Sequence, residues 1–268
     1  MRNVAKLVSA AVAVGLSALA APPALGTDVD LELVLAVDVS PSMDVEEQIL
    51  QRQGYVRAFR HPEVINAIQL GAYGRIAVTY VEWAGTYQRV IVPWRIVTGK
   101  DDALAFADEL ELQPMSQYGR TSISGGLLFA ASQFDESPAI GLRRAIDVSG
   151  DGVNNIGFPV APTRDMVVGR GITINGLPIV IRPSRLGSLG YIDLGTYYED
   201  CVIGGPGSFM ITVDDAGGFE VAIRRKLVLE IAGLPARVIP AVETPAQEPR
   251  IDCLIGEKAR LLNGPFSP

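Results

Sequence analysis

Asp38, Ser40 and Ser42 stand at alternate positions in the run LELVLAVDVSPS over residues 31–42. One carboxylate and two hydroxyls therefore follow directly on an apolar stretch that reads as a buried strand. Alternate residues of an extended chain point the same way, so their oxygens can converge just past the strand's end. Oxygen donors without nitrogen or sulfur suit a hard divalent cation, Mg²⁺ or Mn²⁺. Two further oxygen-bearing residues lie at comparable points: Thr121, in a loop that opens a helix, and Asp151, in the SGDG turn after a strand. Parallel α/β sheets gather ligands at the carboxyl ends of their strands, where all five would sit. Plainer uses exist for each residue alone. Asp38, Ser40 or Ser42 can cap the helix starting near Asp44, and Asp151 between glycines can be a turn residue.

The elements that must position these residues alternate along the chain. Residues 31–37 form a continuous apolar run, as in a strand covered on both faces. Residues 44–59 have helical spacing, with acids in the first turn where the helix dipole favours them. Residues 76–83 and 89–94 read as strands joined by a short turn at Gly85-Thr86, so one of them runs antiparallel. Helices are expected over 101–110, 122–134, 163–168 and 219–232, the last stopped by Gly233. Further strands are expected over 144–149, 172–181 and 209–213, with Asn175-Gly176 a possible interruption of the second. The alternation predicts a doubly wound, mostly parallel open α/β sheet with one antiparallel edge strand. Trp83 and Trp94 read as packing at strand ends, and His61 as a helix-end surface residue. Residues 183–200 form a Gly-rich stretch with Tyr191, Tyr197 and Tyr198, long enough to overhang the site and meet a partner.

Composition narrows the function. The chain has 268 residues, 48% of them hydrophobic and 20% charged, which suits a folded domain with a large core. Arg2 and Lys6 precede an apolar run ending in small residues, which reads as a signal peptide over residues 1–26 rather than a membrane anchor. Its removal takes the formal net charge from −7 to −9, because Arg2 and Lys6 leave and no acid does. An acidic chain repels nucleic acid and anionic lipid. Arg224-Arg225-Lys226 reads as the polar face of a helix. Cys201 and Cys253 can remain thiols, but in an exported chain a bridge is favoured, worth roughly 4 kcal/mol by chain entropy. Residues 27–233 would be the folded domain. Residues 234–268, with six prolines, would be a surface tail, partly disordered.

The pattern Asp38-x-Ser40-x-Ser42 with Thr121 and Asp151 resembles the metal-ion-dependent adhesion site of von Willebrand factor A-type domains. The resemblance covers roughly residues 30–233. Within it VEWAG (81–85), DVSGDG (147–152), GITINGLPI (171–179) and DCVIGGPGSF (200–209) resemble a secreted bacterial family without an agreed activity. The resemblance implies direct metal contact by Ser40 and Ser42 and direct or water-mediated contact by Thr121. Asp38 and Asp151 would act mostly through waters. It also implies a partner, a protein or cell-envelope ligand, that offers an acidic residue to the metal. The helix over 219–232 occupies the place of one that moves in some relatives. The alternatives are an assembly domain with an incidental metal, or a metal-dependent hydrolase. Triad hydrolysis is disfavoured because the single histidine, His61, belongs to the far end of the first helix. GxSxG and P-loop patterns are absent.

Overall fold

Strand β2 (Leu31–Asp38) is buried along its whole length, and the other elements are arranged around it. The computed structural model describes residues 26–182, 186, 189–233 and 249–263. The expected signal peptide lies outside the described residues apart from Gly26, as do 234–248 and 264–268 of the expected tail. β2 pairs in parallel with β3 (Ile76–Ala84) and with β6 (Arg144–Gly150). β6 pairs in parallel with β7 (Thr173–Pro178), while β4 (Tyr87–Val97) closes the opposite edge antiparallel to β3. The order is β4-β3-β2-β6-β7, with a separate two-stranded parallel ribbon of β1 (Thr27–Val29) and β5 (Ala139–Gly141). The doubly wound, mostly parallel sheet and its antiparallel edge are as the sequence predicts.

Side-chain alternation splits the core between two faces. Leu31, Leu33, Leu35 and Val37 pack with residues of α1 (Val45–Arg60), α2 (Pro62–Gln69), α3 (Lys100–Glu111) and α7 (Phe219–Ala232). Val34 and Ala36 pack with residues of α4 (Ile123–Gln133), α5 (Val160–Gly169) and α6 (Leu194–Tyr197). Trp83 is fully buried on this second face, where a Cβ at residue 126 would lie 2.7 Å from its ring, so Gly126 makes room for it. Trp94 donates from Nε1 to Gln133 O at 3.0 Å and packs against Phe134.

Some expectations are corrected. Helix α2 was not foreseen; His61 ends α1 and caps α2, accepting from the Glu63 N–H, with Pro62 in the first turn. Residues 209–213 form no strand of their own but run beside β7 and the residue after it, joined by the isolated bridges Gly176–Met210 and Ile179–Val213. Pro178, between those bridges, has no N–H to give, which breaks the ladder there. β7 itself ends at Pro178 and runs through Asn175-Gly176 without interruption. The tail contains α8 (Ile255–Asn263), tied down by the disulfide Cys201–Cys253. Among the described residues no helix is long and apolar enough to cross a membrane.

Lys226 is fully buried rather than on a polar face. It shares its side of α7 with Ile223, Leu227 and Glu230, one turn apart. Its Nζ lies 2.6 Å from Asp147 of β6 and 2.5 Å from Glu230. Asn175 of β7 adds a 2.9 Å hydrogen bond to Glu230. Burial, then the Asp147 charge, push the Glu230 carboxyl up to about 7 against the pull of Lys226. Lys226→Met should destabilise the protein by about 3–5 kcal/mol, because two buried acids lose their cation; urea unfolding measures this. Because the folded state holds the Glu230 proton above the roughly 4.3 of a free glutamate, stability from this group falls as pH rises from there to about 7. Thermal unfolding across that range should show the fall, and Glu230→Gln should flatten it.

Candidate metal centre

The end of β2 and the loop after it carry the first three residues of the centre. Asp38 continues the parity of Val34 and Ala36, so it turns toward the α4 face at the top of the sheet. Its Oδ1 accepts the Ser40 N–H at 2.7 Å, an Asx-type contact that folds the loop back. Beyond Ser42, Asp44 caps α1 by accepting from the Glu47 N–H, and Glu47 accepts from the Asp44 N–H in return. The helix thereby fixes the far end of the short loop.

Thr121 comes from the β4-to-β6 crossover, at the start of α4. It is held from two sides. Asn155 takes the Thr121 N–H on Oδ1 at 3.2 Å and donates its own N–H to Thr121 O at 3.0 Å. On the other side the Gly85 N–H donates to Arg120 O at 2.7 Å. Arg120 is the one described non-glycine residue with a positive φ, 70°, which turns the chain into Thr121. The neighbouring β3–β4 turn comes so close that a Cβ on Gly85 would lie 2.4 Å from Gly119 O. Asp151 follows β6 directly, and the chain after it supplies both Asn155 and Asn154, whose Oδ1 accepts the Ser124 N–H at the first turn of α4.

All five residues singled out in the sequence meet here. Ser40 Oγ and Ser42 Oγ are 2.8 Å apart, Ser42 donates to Asp151 Oδ1 at 2.6 Å, and Thr121 Oγ1 reaches Ser40 Oγ at 3.3 Å. Asp38, Ser40 and Thr121 are buried, while Ser42 is exposed, so the chain of oxygens leads from the interior to the surface. Burial, and then the Asp151 charge, hold the Asp38 carboxyl well above the usual carboxylate range. Burial foremost, with Glu47 adding to it, pushes Asp151 up to about 6 against the Ser42 hydrogen bond and Arg182. Two neighbouring acids raised by burial and like charge are what a cation between them would lower. The donor set of three hydroxyls and two carboxylates, without nitrogen or sulfur, fits a hard divalent ion. Asp38 Oδ2, buried and without a hydrogen-bond partner, also fits a carboxylate that faces a positive charge.

The sequence reading missed the supports of this centre. The two asparagines of VNN (153–155) were visible directly after the SGDG turn but not assigned. Arg182, which pairs with Asp44 and with Glu47 at the rim, had no local signal. Tyr197 and Tyr198, expected on an overhanging surface, are fully buried beneath the loops, and Tyr191 alone of the three is exposed. Part of the stretch over 183–200 lies outside the described residues. Around the opening, Tyr118 donates its N–H to Val39 O at 3.0 Å and stacks on Tyr87 with ring centroids 3.7 Å apart.

The chain matches, over residues 28–235, the family described as protein of unknown function (DUF1194), and it belongs to that family. No curated protein matches it. Similar solved structures include proximal thread matrix protein 1 from the mussel byssus, at TM-score 0.56 and 14% identity over 77% of this chain and 49% of that one. The pilus adhesin SpaC from Lactobacillus rhamnosus GG aligns at TM-score 0.57 and 14% identity over 76% of this chain and 31% of its own. A von Willebrand factor type A protein from Catenulispora acidiphila aligns at 0.53 and 15% identity, over 76% and 43% of the two chains. The chain thus spans half or less of each of these proteins, and the likeness establishes the von Willebrand A fold. One form of the mussel protein is described with a zinc-occupied MIDAS motif. Gly85→Ala should press on the Gly119 carbonyl and cost about 1–3 kcal/mol. Urea unfolding measures the loss, and the Thr121 amide resonance should shift with it.

Proposed function

We propose that this chain, a member of that family with a von Willebrand A fold, is an exported binding domain that engages its partner through a divalent cation. Asp38, Ser40, Ser42, Thr121 and Asp151 would hold Mg²⁺ or Mn²⁺. The observation that supports this most is the single hydrogen-bonded set of oxygens from three separate loops, running from Thr121 through Ser40 and Ser42 to Asp151. When bound, the cation supplies positive charge that three neutral hydroxyls leave largely unspent, so it attracts a further carboxylate. Ser40, Ser42 and Thr121 present their oxygens to it, Asp151 closes the outer side, and Asp38 accepts from behind. The partner is a protein or envelope component that brings an acidic residue. It meets the stacked Tyr87–Tyr118 pair on one flank and exposed Phe158, in the Asp151 loop, on the other.

The binding domain is residues 27–233, preceded by the signal peptide over 1–26. The Cys201–Cys253 bridge suits an oxidising compartment, the periplasm or the extracellular medium. On a chain of net charge −9 without its leader, a local cation offsets repulsion from an acidic ligand. Hydrolysis finds no histidine base at the site. His61 caps the opposite end of α1, whose 16 residues at 1.5 Å each place it about 24 Å from the Ser42 end.

Calorimetric titration of Mg²⁺ and Mn²⁺ into chelator-stripped protein tests the reading. One equivalent should bind, and Asp38→Ala should abolish binding. Partner capture from an envelope extract should then vanish with chelator and return with added Mg²⁺. Absence of binding at millimolar metal would overturn the proposal.

A further inference from the structure

Two fully buried oxygens lie close to Gly150 beneath the centre, and neither has a hydrogen-bond partner: Asp38 Oδ2 and the Tyr198 hydroxyl. They bracket Gly150, the last residue of β6. A Cβ at that position would lie 2.8 Å from Asp38 Oδ2 and 3.0 Å from the Tyr198 hydroxyl. The ring of Tyr198 is accommodated in the same way one strand over, where a Cβ on Gly176 of β7 would lie 2.9 Å from Tyr198 Cδ1. Gly150 and Gly176 are both outside the positive-φ set, so neither is glycine for the sake of its backbone. They are glycine for room. On adjacent strands and two residues apart in register, with Gly176 beside Val148 and Gly150 beside Pro178, they leave the room that Tyr198 fills, its hydroxyl near the same point by Gly150 as Asp38 Oδ2.

The chemistry of the two groups is complementary. An ionised carboxylate only accepts, and a phenol donates. Buried polar atoms in folded proteins nearly always find a partner, and here both oxygens lie within 3.0 Å of one Cβ position on Gly150. We infer that Tyr198 is a positioning residue of the metal centre: once the cation is bound, its hydroxyl donates to Asp38 Oδ2 and holds the carboxylate turned so that Oδ1 serves Ser40. The inference rests on the metal-binding reading above. Tyr198 is in turn fixed from below. It opens the five-residue π-helical turn Tyr198–Val202, which contains Cys201 and so is bolted to Cys253. Tyr197, just before it, accepts the Asn154 N–H at 3.2 Å, in the loop that follows Asp151. One disulfide-held turn thus reaches both carboxylate-bearing loops.

Tyr198→Phe keeps the ring in its slot and deletes only the hydroxyl. Mg²⁺ titrated alone into the stripped full chain should bind about 10- to 100-fold more weakly than to the unmodified protein, the usual effect of losing a group that orients a ligand. The thermal midpoint of the stripped variant should stay level or rise, because no existing hydrogen bond is lost. A merely structural tyrosine would instead lower that midpoint and leave the affinity unchanged, which overturns the inference. Gly150→Ala, which wedges a methyl between the two oxygens, should weaken binding as well. Combined with Tyr198→Phe it should add little, since both break one contact; full additivity counts against the inference. Should Gly150→Ala not fold, Tyr198→Phe decides alone. If the unmodified protein binds and Tyr198→Phe binds equally, only this inference fails. If the unmodified protein takes no cation, the metal reading fails and this inference with it.

Discussion

A carboxylate at the end of a strand that is buried on both faces is the constraint around which the upper half of the molecule is organised. Asp38 has no water to solvate it. Leaving such a charge uncompensated costs several kcal/mol, so the surroundings must supply donors, a countercharge or a proton. The Ser40 N–H is one donor, and the loop bends to deliver it. Among the described residues no lysine or arginine forms an ion pair with Asp38. The adjacent loops contribute neutral hydroxyls and a second acid, and the set opens to solvent at Ser42.

The contrast with the lower half of the same strands is instructive. Asp147, four residues before Asp151 on the same strand run, is also fully buried and also shares its surroundings with a second acid, Glu230. There the chain brings its own cation, Lys226, and closes the site with Asn175. One pair of acids is neutralised internally and sealed under α7. The other is bordered by neutral hydroxyls and opens outward at Ser42, with Arg182 held at the rim by Asp44 and Glu47.

The sheet and the five oxygen residues were legible because their signals are local. Apolar runs of strand length, helical spacing and turn glycines sit next to one another in sequence, and the D-x-S-x-S string follows directly on a strand. What was hidden depends on distant partners. Lys226 looks polar beside Arg224 and Arg225, and only the helical phase set by Ile223 and Leu227 turns it inward. Tyr198 looks like a surface residue of a Gly-rich loop, and only the glycines at 150 and 176, on other elements, make its slot. The failed strand over 209–213 has apolar residues in the right pattern, but its ladder depends on Pro178 of a neighbouring strand. The helix α8 was masked by proline-rich surroundings and owes its place to a bridge 52 residues long in sequence.

That bridge has a consequence in time. A chain is made from its amino end, so all seven strands and α7 exist before Cys253 does. Until then the turn under the two carboxylate loops is anchored by packing and by hydrogen bonds such as that from Arg164 to Asp200 O, and Cys201 is a thiol. The part of the molecule that fastens the centre is therefore among the last to be synthesised, and it needs an oxidant rather than a fold to finish its work. A chain interrupted after α7 keeps every strand and all five oxygen residues, yet lacks the means to lock them.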